Sequence, residues 1–214
     1  MANGAGGSIT PFFTIWTEPR ATIRRIVDTD PTRNVIALAA FGSGISALSG
    51  QWSKALGNNA NLSVLWPLWV AVIVAFSAAL GVLSLYLGGV VLKWSGSLLG
   101  GVASRVEVRA AVAWSQVPGI AGAILFLIAV LLGVPIPVPT PGALPQIDPA
   151  FYMIMVVEGV LGFWGFVVSL KCIGEVHRFS AWRALIAVLI PGLIVIIVLV
   201  LGSLLFHAIV GGHH

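Results

Sequence analysis

The chain has 214 residues, of which 58% are hydrophobic and only 8% charged, and its mean hydropathy is +1.05. A soluble globule carries about 25% charged residues, so that class is excluded; disorder, which requires low hydrophobicity, is excluded with it. What remains is an integral membrane protein of one compact domain, of a length that suits five or six helices joined by short loops.

In chain order the first element is an N-terminal arm, residues 1–30. Its first ten residues, MANGAGGSIT, hold neither a basic start nor an apolar run, so no cleavable signal peptide is expected. Pro19 suits the first turn of a helix on which Ile23, Ile26 and Val27 share a face, while Arg20, Arg24 and Arg25 lie mostly off it. This is the pattern of a short interfacial helix in the cytoplasmic headgroup layer, where each basic residue gains about 1 kcal/mol from anionic lipid. Asp30 and Pro31 then read as an N-cap and first-turn proline opening the first span.

A transmembrane domain is expected over residues 31–210, with spans at about 31–50, 65–92, 110–134, 151–170 and 184–206. Each of the last four is long enough to cross a bilayer core, which takes roughly 20 apolar residues. None alternates polar and apolar positions strictly, which excludes a β-barrel. Ser104-Arg105-Val106-Glu107 is a capping-box pattern, predicted to start a helix that continues through the third span. The following loop carries six prolines between Pro135 and Pro149, as a stiff spacer would, with docking of an outer partner as the alternative. Residues 211–214 read as the remnant of a purification tag, and His213 and His214 are given no role.

Loop charges set the orientation. Alternating five spans gathers ten of the eleven Lys and Arg residues on one face and leaves only Lys54 on the other. Positive charge marks the cytoplasmic side. The expected fold is therefore an all-α integral membrane protein, a five-helix transmembrane bundle with a cytoplasmic N-terminus and its C-terminus outside.

Few side chains are placed for chemistry. Glu158 is the one ionisable group well inside an apolar span; at that depth a charge costs on the order of 3 kcal/mol, so it should face protein or water. An unpaired carboxyl there is expected to be neutral and to donate a hydrogen bond. On its face stand Gly162, Gly165 and Ser169, small residues that let another helix come close. A matching stripe of Ser77, Gly81, Ser84 and Gly88 marks the second span, which predicts that the second and fourth spans pack together, with a Ser hydroxyl bonded to Glu158. Ser115 and Gln116 lie beside Pro118, whose missing N–H frees the carbonyl of Trp114 and makes a kink with a small polar site. Pro191 is expected to bend the fifth span similarly.

Other groups read as ordinary. Glu175 and His177 do not share a helical face and are too few for a metal site, so they are taken as solvated loop residues. His207 lies near the outer end of the last span. A lone Cys172 excludes an internal disulfide framework and any cysteine-based metal site. There is no HExxH, GxSxG, phosphate-loop or CxxC pattern, so neither an enzyme, a cofactor nor a bound metal is expected. The basic residues hug the membrane rather than forming a patch for nucleic acid.

Three segments, WTEPRATIRRIVDTDP, then LKWSGSLLGG leading into VRAAVAWSQVPG, and finally HRFSAWRAL, carry a resemblance in order and spacing over most of the chain. They are similar to the bacterial branch of the Yip family, the Ypt/Rab-interacting integral membrane proteins. The resemblance implies a five-helix membrane domain and, in eukaryotic relatives, roles in vesicle traffic with Rab-type GTPases.

Two functions stay open at this point. One is a non-enzymatic scaffold in the cell (inner) membrane that shapes the bilayer or recruits a cytoplasmic protein through a basic face including Arg20, Arg24, Arg25, Arg105 and Arg109. The other is a small, oligomeric transporter or channel using Glu158 as a proton or cation site. The expected partners are anionic headgroups, a cytoplasmic protein, and a second copy of the chain; small-residue stripes serve helices within one protomer as well as between protomers.

Overall fold

The computed structural model describes residues 10–57, 65–137 and 148–211, with side chains described except at 52–57 and 204–211. Most of the proline-rich loop, the side chains of Lys54 and His207, and both terminal histidines therefore lie outside the described residues. Among the described residues eight helices follow one another: α1 Thr10–Thr17, α2 Pro19–Thr29, α3 Val35–Gly57, α4 Trp66–Leu98, α5 Arg105–Trp114, α6 Val117–Leu131, α7 Pro149–Val176 and α8 Ala181–Gly211. Four stretches among the described residues are long and apolar enough to cross a bilayer: α4, α5 with α6, α7, and the Ala181–Ser203 part of α8. A shorter apolar stretch, Val35–Gln51, lies in α3.

Local chemistry explains where the helices begin and end. Pro19 takes the first turn of α2, and Pro19, Thr22, Ile23 and Ile26 recur on one face, which is buried. Thr22 donates its hydroxyl to Thr14 at 2.8 Å, tying α2 to α1, a helix that the sequence pattern does not separate from the arm. Asp30 does not cap the next helix as expected. Its carboxylate accepts from the amide and hydroxyl of Thr32 at 2.9 and 2.6 Å, forming a local turn that delays the helix start to Val35. Those two bonds hold the Asp30 carboxyl below its usual value.

The capping box on α5 is formed: Glu107 N–H reaches the Ser104 hydroxyl and Ser104 N–H reaches the Glu107 carboxylate. Asp148 caps α7 by accepting from Ala150 N–H at 2.8 Å. At their far ends α4 and α7 both close with a left-handed residue, Gly100 (φ +80°) and Arg178 (φ +58°). In each turn an amide just past that residue bonds back five positions, Gly101 to Gly96 and Phe179 to Gly174.

The core is concentrated at one end. Ile23 and Ile26 of α2, Val108, Ala111 and Trp114 of α5, Val168, Cys172 and Val176 of α7, and Ala184 and Ala187 of α8 are all buried together. The alanines let α5 approach its neighbours closely, as helix contacts in lipid require, since apolar side chains gain little by leaving lipid for protein. The Trp114 indole N–H is satisfied by the Arg33 carbonyl at 3.2 Å, so the largest buried ring leaves no orphan donor. Towards the other end α3 and α6 stay joined, the Ser49 hydroxyl donating to the Ala123 carbonyl at 3.0 Å, while α8 stands apart. Every residue of α8 from Leu193 to Leu201 is exposed.

Candidate functional site

The buried end is also the basic end. α2 lies against α7, and Arg24 forks onto Glu175: Nε and Nη2 donate to Oε1 at 3.1 and 2.9 Å, and Nη2 also to the backbone carbonyl at 2.8 Å. Arg20 adds a longer contact to Oε2 at 3.4 Å. With Glu175 and Arg24 both part-buried, this fork is a structural clamp, as multi-point guanidinium–carboxylate pairing favours. Glu175 is thus not the solvated loop residue expected from sequence. Trp164 Nε1–H donates to the Trp16 carbonyl at 3.2 Å and Phe12 leans on Trp114 with centroids 4.9 Å apart, which lays α1 against the end of α5 and the middle of α7.

The five basic residues named from sequence separate by role. Arg20 and Arg24 turn inward to Glu175. Arg109 lies over the Tyr86 ring at 4.4 Å, and its stem covers Gly89 of α4. Arg25 and Arg105 remain exposed, with no acidic partner among the described residues.

His177 is the largest departure from expectation. It is 1% exposed, and neither ring nitrogen has a hydrogen-bond partner among the described residues. Its ring is stacked on Phe179, centroids 5.1 Å apart, and rests on Gly96 and Gly101, where a Cβ would collide with the imidazole. The Gly100 turn of α4 is thus a seat shaped for this ring, and Val102 N–H to the His177 carbonyl, at 3.4 Å, joins the two turns. Burial pushes the imidazole below its usual value; Lys93 adds to that effect and Glu107 opposes it. Sequence spacing keeps Glu175 and His177 off a common helical face, and His177 falls just past the end of α7; what the spacing misses is that α2 covers the one and the turn after α4 the other. The one available signal is the Gly100-Gly101 pair closing α4.

Within the apolar region the small-residue stripes do not meet as predicted. α4 packs on α3, α5 and α8, whereas α7 packs on α6, α5, α2 and α8. Gly81 takes the Ser43 side chain and the Ala39 carbonyl of α3, and the Ser84 hydroxyl donates to its own helix at Gly81. Ser77 is half-buried, and Gly88 meets open space. Glu158 therefore has no serine partner among the described residues. It presses on Gly122 of α6, where a Cβ would stand 2.8 Å from Oε2, and Oε1 is buried without a hydrogen bond among the described residues.

A polar cleft lies beside it. The chain breaks between α5 and α6 at Ser115 and Gln116, with Pro118 in the first turn of α6, so the kink predicted at this proline is a full helix boundary. α3 and α7 both pack on α6 and leave a cavity of about 480 Å³ between them. Gly42, Ser43 and Ser46 of α3 form one wall, and Gly162 and Gly165 of α7 the other. Ser115, Gln116 and Gly119 line the floor. Ser169, the last of the α7 stripe, donates to the Phe166 carbonyl at 2.9 Å within its own helix and does not line the cleft.

The Yip1 domain family model matches residues 13–202. The chain belongs to that family. Neither a curated protein nor a solved structure matches it. The match begins in α1 and ends in the exposed part of α8, so the arm helices, the clamp and the cleft all belong to the Yip1 domain.

Proposed function

We propose that this Yip1-family protein is a non-enzymatic membrane scaffold whose basic end recruits a cytoplasmic protein at an anionic leaflet. Five spans, formed by α3, α4, α5 with α6, α7 and α8, put the N-terminus in the cytoplasm and the C-terminus outside, in the cell (inner) membrane. The observation that carries the reading is the division of labour among the arginines. Arg20 and Arg24 anchor α2 to the end of α7, while Arg25 and Arg105 stay exposed beside the same buried core. A clamped arm presents fixed charges, and fixed charges give a partner both orientation and a fast encounter.

The test is in-cell photo-crosslinking from the basic end, comparing the native chain with Arg25→Glu/Arg105→Glu. Loss of at least tenfold of a crosslinked cytoplasmic protein, at unchanged expression and elution volume, is expected. Unchanged recovery of every crosslinked species rejects the scaffold reading.

A further inference from the structure

The cleft between α3, α6 and α7 has a chemical bias that scaffolding does not use. The Ser46 hydroxyl donates to the Gly42 carbonyl at 2.8 Å, and that of Ser115 to the Val112 carbonyl at 2.9 Å. Their protons are spent on their own helices, and what they turn outward is oxygen lone pairs. Gln116 caps neither helix with its side chain; its Oε1 lies against Gly42, and its carboxamide supplies both an acceptor and a donor. Among the described residues no Lys, Arg or His lines the cavity.

An uncharged cleft with several acceptors and one strong donor does not suit a phosphate. A phosphate there would stand in hydrocarbon with no cation to pair it. The lining suits a neutral molecule with a hydroxyl to give and a carbonyl to receive. The approach is lateral. α1 covers the α5–α6 junction and the middle of α7 through the Phe12–Trp114 and Trp16–Trp164 contacts, while the space that a methyl on Gly119 or Gly162 would occupy is open to 4 Å. The volume, about 480 Å³, falls in the range of about 300–1,000 Å³ typical of small-molecule sites.

We infer that the Ser46–Ser115–Gln116 cleft binds a diacylglycerol-type lipid, whose free hydroxyl is accepted by the serine oxygens and whose ester carbonyl is bonded by the Gln116 amide. The glycines at positions 119 and 162 keep the wall smooth for the glycerol and the start of the acyl chains.

The full chain in nanodiscs is photolabelled with a diacylglycerol carrying a diazirine near the ester end of one acyl chain. Triacylglycerol and phosphatidylglycerol with the same diazirine serve as controls. Label is expected on α6 and α7 peptides bordering the cleft, at least fivefold above both controls. Gly162→Leu fills the cleft from a position with open space, so the fold is kept and labelling should drop at least fivefold; Gln116→Leu should lower it several-fold. Equal labelling by either control overturns the inference, as does labelling indifferent to Gly162→Leu. Efficient Gly162→Cys crosslinking between two copies overturns it as well, because a second chain then fills the cleft.

Discussion

The two ends of this bundle are built on different principles. At the basic end, arm helices, helix turns and an ion-pair clamp lock around a continuous core; Trp114, Val168, Cys172 and His177 are all at 1% exposure or less. Towards the opposite end α8 is exposed on every side from Leu193 to Leu201. Lipid replaces protein there at almost no cost, because acyl chains solvate Leu, Ile and Val as well as another helix does. The basic end has no such substitute. Where its polar groups are buried, as Glu175 and Arg24 partly are, a protein neighbour has to replace the water they lose. Fixed geometry is therefore concentrated where the chain meets the polar headgroups.

The sharpest way to break this contrast is to damage the seat of His177. Gly96→Val puts a branched side chain where the imidazole lies, a contact that cannot relax without moving the α4 or α7 turn. Overpacking of this kind costs typically 1–3 kcal/mol, and the joined turns place Gly96→Val at about 3 kcal/mol. Denaturation in mixed micelles measures it. Adding His177→Ala to Gly96→Val should restore part of the loss, since the two residues are in contact and their effects should not add.

A smaller effect follows from the same ring. Burial favours the neutral imidazole in the folded protein, so the folded value lies below the ordinary 6.5. The unfolded chain then binds more protons as pH falls through that window. Stability is full above about pH 6.5 and declines below it, towards the lowered folded value. Lys93 of α4 strengthens the trend and Glu107 of α5 weakens it; on α7, Glu175 is already engaged by Arg24. Unfolding followed from pH 8 to pH 5 should show a decline that His177→Phe removes. An equal decline in both proteins would assign it to other groups.

Much of this was legible in the chain, and the parts that were not share a cause. Low charge content, apolar run lengths and the gathering of Arg and Lys pointed to the class; Ser104 and Glu107 marked a helix start; Pro118 marked a break. These signals are local, carried within a few residues. The failures were pairings between distant segments. Glu175 looked solvated because its partners, Arg20 and Arg24, are 155 and 151 positions away, and His177 because its seat is built by the Gly100 turn of another helix. The α4 and α7 stripes matched in spacing, yet each found a different neighbour, Gly81 taking α3 and Gly165 facing Pro118 of α6, where an added Cβ would stand 3.6 Å from the proline ring. Small residues announce that some helix comes close; they do not say which.

The smallest expected effect tests the open end itself. Val198 is 61% exposed, and its neighbours on α8 are exposed in every direction. If lipid alone surrounds it, Val198→Ala exchanges one lipid contact for another and should change stability by less than about 0.5 kcal/mol, the scale of substitutions away from packed features. A cost above about 1 kcal/mol, beyond that scale, would mean that protein, and hence a second copy in a purified sample, covers this face. In that case stability should also fall as the protein is diluted in detergent, because dissociation would expose the same surface. Gly96→Val, buried within one chain, should keep the same penalty at every dilution.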